Sequence, residues 1–420
     1  MMICCSIREA SGGNKAHRAV SLSGYSSTAA CGFQSEISNF GCKLQAEGGF
    51  GGGVHICLHV HGEKYIFCNA SEYPAMSNKK ISAEQTDTRE GQAAAGARET
   101  YWDVVKGLLI ILMVLGHALQ YAGGGNFWGN PLWMGIYLFH MPLFALVSGC
   151  FVFQSIHRHG GMFIGHIARH LLIPGIFTAL ACLAIKSLLT YCSGETPTIP
   201  PYTFLYTAWF LIFIFECGVF TWIMARSESL WWRAAWFVIP MALALLWPDF
   251  PLAGQFTFLY PVFLLGAWVR HQGLPLGNIW LGMGAAVAYA VVFCVFQEDW
   301  YVYRTPLDSL EDMADTVPIY LVRLLGGIAG CFLLLFAVKR LSFLQESRIL
   351  PLLGGSTLAI YLLQIYFWDF IWKPYCPNID IWLCFPLTVG VLALCYGIYR
   401  ACRRVPVLGL LMFGEQRRKA

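Results

Sequence analysis

Charge is what this sequence has least of. Asp, Glu, Lys and Arg make up 12% of its 420 residues, against about 25% in a typical soluble domain. Taken with 57% hydrophobic content, 30 Phe and 15 Trp, that deficit excludes a soluble globular enzyme, a disordered scaffold and a nucleic-acid binder. The net charge of +4 is too small to point to a polyanionic partner. Also lacking is an apolar core of about 7–15 residues with a small-residue cleavage site after the start, so no signal peptide is read. Sixteen Cys are present, but Cys182, Cys217, Cys294, Cys331 and Cys395 lie inside apolar runs, where Cys packs as a small hydrophobe. No disulfide framework is expected. The two halves of the chain show no internal repeat.

Residues 1–100 contain no apolar run long enough to span a bilayer, are rich in Gly and Ser, and end in a polar stretch from Met76 to Arg98. They read as a disordered N-terminal extension, with Met76 an alternative start. His55, Cys57, His59, His61 and Cys68 cluster there, but without the spacing of a metal knuckle; no metal is expected. From Trp102 onward, apolar windows of about 20 residues recur, the length a helix needs to cross about 30 Å of hydrocarbon. They fall near 103–122, 131–153, 170–191, 204–225, 234–248, 255–271, 277–297, 317–338, 349–372 and 381–400. The expected fold is all-α: a polytopic membrane bundle of about ten transmembrane helices over 101–401, followed by a basic cytoplasmic tail, 402–420.

Lys and Arg in the connections set the expected orientation. With the N-terminus cytoplasmic, inside loops and tail hold Arg158, Arg169, Arg226, Arg233, Arg270, Lys339, Arg340, Arg348, Arg400, Arg403, Arg404, Arg417, Arg418 and Lys419; outside loops hold Arg304 and Lys373. Acids gather outside: Asp249, Glu298, Asp299, Asp308, Glu311, Asp312 and Asp315. Both termini are therefore expected inside, in a cell (inner) membrane.

A charge at mid-bilayer costs at least about 2.5–3.5 kcal/mol, so each intramembrane ionisable residue is a candidate site. The set is Lys106, His117, His140, Lys186, Glu216, Arg323 and Asp369. Lys106 and His117 are separated by close to three turns at about 3.6 residues per turn, so they share a helix face, with Cα atoms about 16 Å apart along the axis. Asp103, one turn below Lys106, is placed to pair with it. One groove thus offers an anion site at its mouth and a proton acceptor deep inside. The plainer reading of His117 is a hydrogen-bonded core histidine. His140 opens the phrase FHMPLFALVSG, where Pro142 interrupts the helical ladder and Ser148-Gly149 is a small pair that lets helices approach; the alternative is a kink with an incidental His. Arg169 stands at the start of a span, suited to fork onto a phosphate. Lys186 is expected to snorkel outward, Glu216 and Arg323 to pair or to line a cavity, and Asp369 to sit at the outer mouth. The outer loop EDWYVYR (Trp300, Tyr301, Tyr303) has the aromatics to stack on a sugar ring.

The stretch from Asp103 through WDVVKGLLIILMVLGH to FHMPLFALVSG resembles the opening of the acyltransferase 3 family, closest to its fucose 4-O-acetylase-like acetyltransferases. That family carries a basic residue and a His in the first span, here Lys106 and His117, then FHMP…SG, here Phe139, His140, Met141, Pro142, Ser148 and Gly149. Later echoes are Arg169 before LLIP, the AWFL phrase with Trp209 and Phe210, FLLG around Gly266, and LGGSTLAIYLLQ. The last departs from the family pattern, since a His commonly follows Tyr-Leu-Leu where this chain has Gln364. The resemblance implies a ten-helix enzyme moving an acyl group, usually acetyl from cytoplasmic acetyl-CoA, onto a hydroxyl of a carbohydrate or glycolipid acceptor.

The expected roles follow. Imidazole, with an unperturbed pKa near 6.5, is the natural base at neutral pH, so His117 is the expected base and His140 either holds the acceptor hydroxyl or stabilises the oxyanion. Lys106 and Arg169 would take the CoA phosphates, with Asp103 orienting Lys106. Ser148, Trp209 and Gln364 are candidates for substrate binding. The rival reading is a secondary transporter or exporter of a small polar solute, which a Pro-interrupted span and buried ionisable groups also suit.

Overall fold

The computed structural model of the protein describes residues 43–48, 54–60, 63–67, 100–194, 207–247, 250–310 and 313–415. The chain divides into two compact units, Met1–Ala93 and Ala94–Ala420. In the first unit, three strands, β1 (Lys43–Gly48), β2 (Val54–Val60) and β3 (Glu63–Phe67), form an antiparallel sheet in the order β1-β2-β3. Cys57 pairs with Gln45 on one side and with Ile66 on the other. The reading of this region as disordered did not include the sheet. The alternation Val54, Ile56, Leu58, Val60 supplies the period of two that a strand requires. His61, Cys68 and Met76 lie outside the described residues, as do Asp249, Glu311, Asp312, Arg417, Arg418 and Lys419.

Among its described residues the second unit is built of helices joined by short turns and loops. Its elements are α1 (Thr100–Tyr121), α2 (Pro131–Tyr137), α3 (His140–His159), α4 (Phe163–Ile167), α5 (Ile173–Cys192), α6 (Trp209–Met224), α7 (Leu230–Leu246), α8 (Ala253–Gln272), α9 (Ile279–Val295), α10 (Met313–Arg340), α11 (Ile349–Gly354), α12 (Thr357–Phe367), α13 (Cys384–Cys402) and α14 (Pro406–Phe413). Single π turns, Ala168–Leu172 and Trp368–Trp372, join α4 to α5 and extend α12. Every apolar window read from the sequence contains a helix. Among the described residues, Thr100–Tyr121, the 62-residue run Pro131–Cys192, Met313–Arg340 and Ile381–Cys402 are long and apolar enough to cross a bilayer, and α6, α7 and α9 are shorter apolar helices.

The helix α1 is the centre of this unit. Val104, Val105, Leu109, Ile110, Val114 and Ala118 have no exposed surface, the signature of a helix that is apolar all round and enclosed by others. Two close approaches hold it and its surroundings. At one, a Cβ on Gly107 would run into the Leu350 carbonyl, and one on Gly354 into that of Asp103, so α1 and α11 touch backbone to backbone. At the other, Gly149 meets the Phe263 carbonyl and Gly266 that of Leu146, which clasps α3 against α8. The small pair in the sequence thus does bring helices together. Around this centre α9 packs on α10, α10 on α3, α12 on α13, and α14 on α5. The outer faces stay apolar: Trp231, Val238, Val287 and Val389 are all more than half exposed, as expected of surfaces that face lipid. Every cysteine between Cys150 and Cys402 is free.

One local expectation is corrected. Pro142 does not break a ladder within the second span. The break lies one turn earlier, at 138–139, between α2 and α3. Pro142 occupies the first turn of α3, where a missing N–H costs no helical hydrogen bond.

Candidate functional site

The site is built along the face of α1 that carries Lys106, Met113 and His117. At its lower end Lys106 Nζ pairs with Asp103 Oδ1 at 2.6 Å, and both side chains are about one-third exposed. Lys106 lines a cavity with about 310 Å³ open to water, along with Met113, Met141, Ser148, Leu171 and Tyr361. The π turn that supplies Leu171 also carries Arg169, which is exposed. Arg169 does not line this cavity. Ser148 does, although its hydroxyl donates back to the Phe144 carbonyl at 2.8 Å in its own helix.

At the upper end His117 is half-buried. Its Nδ1 lies 3.1 Å from Gln364 Oε1 on α12. The orientation of that amide is determined by its neighbours. Trp368 Nε1 can only donate, and it reaches the same Oε1 at 3.3 Å; the amide nitrogen of Gln364 points instead at Met113 Sδ, 3.7 Å away. The atom facing His117 is therefore an acceptor, Nδ1 of the neutral ring must carry the proton, and Nε2 keeps its lone pair. Gln364 is fully buried. It stands directly behind His117 and accepts from its ring.

His140 has a similar arrangement by different means. At the break between α2 and α3 the Ile136 carbonyl accepts from the Phe139 backbone N–H at 3.3 Å and from His140 Nδ1 at 3.0 Å. A carbonyl only accepts, so here too the proton sits on Nδ1 and Nε2 is left bare. Tyr137 stands between the two imidazoles, its ring 6.4 Å from His117 and 4.5 Å from His140, and its hydroxyl donates to Gln120 Oε1 at 2.8 Å. His140 is almost fully buried and lines a second, tighter cavity of about 20 Å³, room for about one water. Trp209, Tyr303 and Arg323 share its wall, and Met141 belongs to both cavities. The two spaces thus meet at one side chain.

The remaining predicted groups divide. Glu216 and Arg323 do not pair. Arg323 Nη1 donates to the Trp300 and Thr305 carbonyls at 3.1 and 3.0 Å, while the buried Glu216 Oε2 has no hydrogen-bond partner. Lys186 does not simply extend outward, because it lies 3.4 Å from Asp369, which Lys373 also holds at 2.7 Å. Of the outer-loop aromatics, Tyr301 is buried against Trp128, Trp133 and Phe296 and Tyr303 is exposed; both line the His140 cavity. Sequence reasoning missed Tyr137 and Trp368. The pattern of Tyr, His and Pro across 137–142 marks a helix start, but nothing in it says that the tyrosine bridges two histidines.

Residues 99–400 match the acyltransferase domain of the acyltransferase 3 family. Nodulation protein NolL of Sinorhizobium fredii is 31% identical over 302 residues, covering 65% of this chain and 80% of that protein. Nodulation protein NolL of Mesorhizobium japonicum is 26% identical over 301 residues, covering 65% of this chain and 78% of its own length. With the match spanning most of the chain, the protein belongs to the acyltransferase 3 family of membrane acyltransferases.

Proposed function

We propose that the protein is an integral-membrane O-acetyltransferase that moves an acetyl group from cytoplasmic acetyl-CoA to a hydroxyl of a cell-surface or exported carbohydrate. The observation that carries this reading is the face of α1: a cation bordering a cavity at one end and, about 16 Å along the axis, an imidazole whose Nε2 is left as a base. Lys106 and, from the adjoining turn, Arg169 supply positive charge for the CoA phosphates. The pantetheine arm follows the cavity past Met113 toward His117. There Nε2 takes the hydroxyl proton as the acceptor oxygen attacks the thioester carbonyl. A C–O bond forms, the C–S bond breaks, and the proton passes from His117 to the departing CoA thiolate. Such a base contributes typically 10²–10⁴-fold, and fixed positioning supplies much of the rest. His140, with its own bare Nε2 in the adjoining cavity, holds the acceptor hydroxyl or serves the oxyanion.

In this reading the termini lie on the cytoplasmic side of an inner membrane, as the Lys and Arg distribution asks, and the donor never has to cross. The test supplies membranes containing the protein with acetyl-labelled acetyl-CoA and a glycan acceptor. Label in an ester on the glycan together with released CoA is the expected result. Gradient-driven solute uptake without CoA consumption would replace this reading with the transporter. Comparison of surface glycans with and without the protein, by mass spectrometry, then identifies the acetylated sugar.

A further inference from the structure

The second cavity contains a charge that the mechanism above does not use. Arg323 is 2% exposed and lines this cavity beside His140, Trp209 and Tyr303. Its guanidinium is half satisfied. Nη1 holds the two loop carbonyls of Trp300 and Thr305, and the face of Phe258 lies 4.8 Å from its central carbon. Nε and Nη2, both buried, have no hydrogen-bond partner. Glu216, the nearest expectation for a counter-ion, does not reach it, and among the described residues no carboxylate pairs with it. A guanidinium withdrawn from water without an anion is unstable relative to one with an anion. The two N–H groups left open are the pair along one edge of the guanidinium, which matches the two oxygens of a carboxylate.

We infer that this cavity is the acceptor subsite and that Arg323 binds an oxyanion on the acceptor, a sugar carboxylate. The space left beside the guanidinium is small, which favours a planar carboxylate over a bulkier tetrahedral phosphate. Tyr303, exposed on the loop that Arg323 ties down, offers a ring for the sugar face. His140 shares the cavity wall, so an acceptor anchored by its carboxylate presents a ring hydroxyl toward the imidazoles. The assignment of this space to the acceptor rests on the acyltransferase reading; the affinity of Arg323 for an oxyanion does not.

The experiment measures binding without catalysis. The full chain, purified in nanodiscs, is titrated with methyl glucuronide, glucose 6-phosphate and methyl glucoside, by calorimetry. The expected result is methyl glucuronide binding about tenfold or more tighter than the glucoside, with the phosphate sugar between them or absent. Arg323→Gln removes the preference, and Arg323→Lys keeps part of it, because a point charge lacks the fork. Equal binding of glucuronide and glucoside by the unmodified protein, a stronger preference for the phosphate, or a glucuronide preference that survives in Arg323→Gln overturns the inference. The comparison on the unmodified protein decides the matter even if the Gln variant fails to fold. Glucuronide preference without acetyl-CoA-dependent transfer would overturn the proposed function and leave the Arg323 site standing. Transfer to neutral sugars without that preference would do the reverse.

Discussion

The two ends of α1 handle polarity in opposite ways. At the lower end a formal ion pair, Asp103 with Lys106, is one-third exposed and opens on the larger cavity. At the upper end polarity is neutral and more enclosed: the half-buried His117 and the buried Gln364, Trp368 and Met113 form a chain of contacts in which each donor meets an acceptor. The difference follows from exposure. Charge is tolerable where water or headgroups reach it, and deep in the bilayer it carries a cost that neutral hydrogen-bonded groups avoid. The lesson is a division of labour within one helix. The exposed end is suited to attract an anion and the enclosed end to keep an imidazole uncharged with one nitrogen free.

Substitutions can break that comparison from either end. The largest effect is expected at His117. His117→Ala should lower kcat by about 10²–10⁴-fold with the KM for acetyl-CoA little changed, as read from steady-state label transfer in membranes. A variant that inserts normally and acetylates at the unmodified rate would remove His117 from the chemistry. The next largest lies behind it. Gln364→Leu removes the acceptor that fixes the proton on Nδ1, leaves buried donors unpaired, and should cost about 10–10²-fold in kcat. A role for Gln364 in substrate binding predicts a rise in acceptor KM instead, so the kcat-against-KM split tells positioning from contact. The smallest is at the open end. Lys106→Ala should raise the KM for acetyl-CoA about tenfold, the value of one charge-assisted contact, while kcat at saturation stays near normal. An unchanged KM would mean that the donor phosphates bind elsewhere, with the exposed Arg169 on its π turn the next residue to vary.

Much of this architecture could be read in the sequence because it is local. Apolar windows of spanning length are a property of contiguous residues, and each contains a helix, two of them a pair. The shared face of Lys106 and His117 follows from helical periodicity alone, as does the Asp103 pair one turn below. What the sequence did not show is what joins distant segments. The bond from His117 to Gln364 spans 247 residues, and no spacing rule links two helices so far apart. Gln364 was noticed only where a family pattern has His, and its task behind His117 came from the neighbours Trp368 and Met113. Likewise, Pro142 was read as an interruption because Pro is unfavourable inside a helix. The structure begins α3 two residues before it, where proline is tolerated. Lys186, Asp369 and Lys373 show the same limit, as three charges from two segments became one cluster.

Met113 stands between the two ends, touching Gln364 with its sulfur and the larger cavity with its side chain, so it lies on the path assigned to the acyl donor. The most direct measurement is therefore thiol labelling of Met113→Cys, scored against the parent protein, with a small membrane-impermeant reagent applied to each side of sealed vesicles. Labelling from the cytoplasmic side that acetyl-CoA suppresses is the predicted result. A thiol that never labels, labels only from the opposite face, or labels equally with and without acetyl-CoA would contradict a donor path along α1.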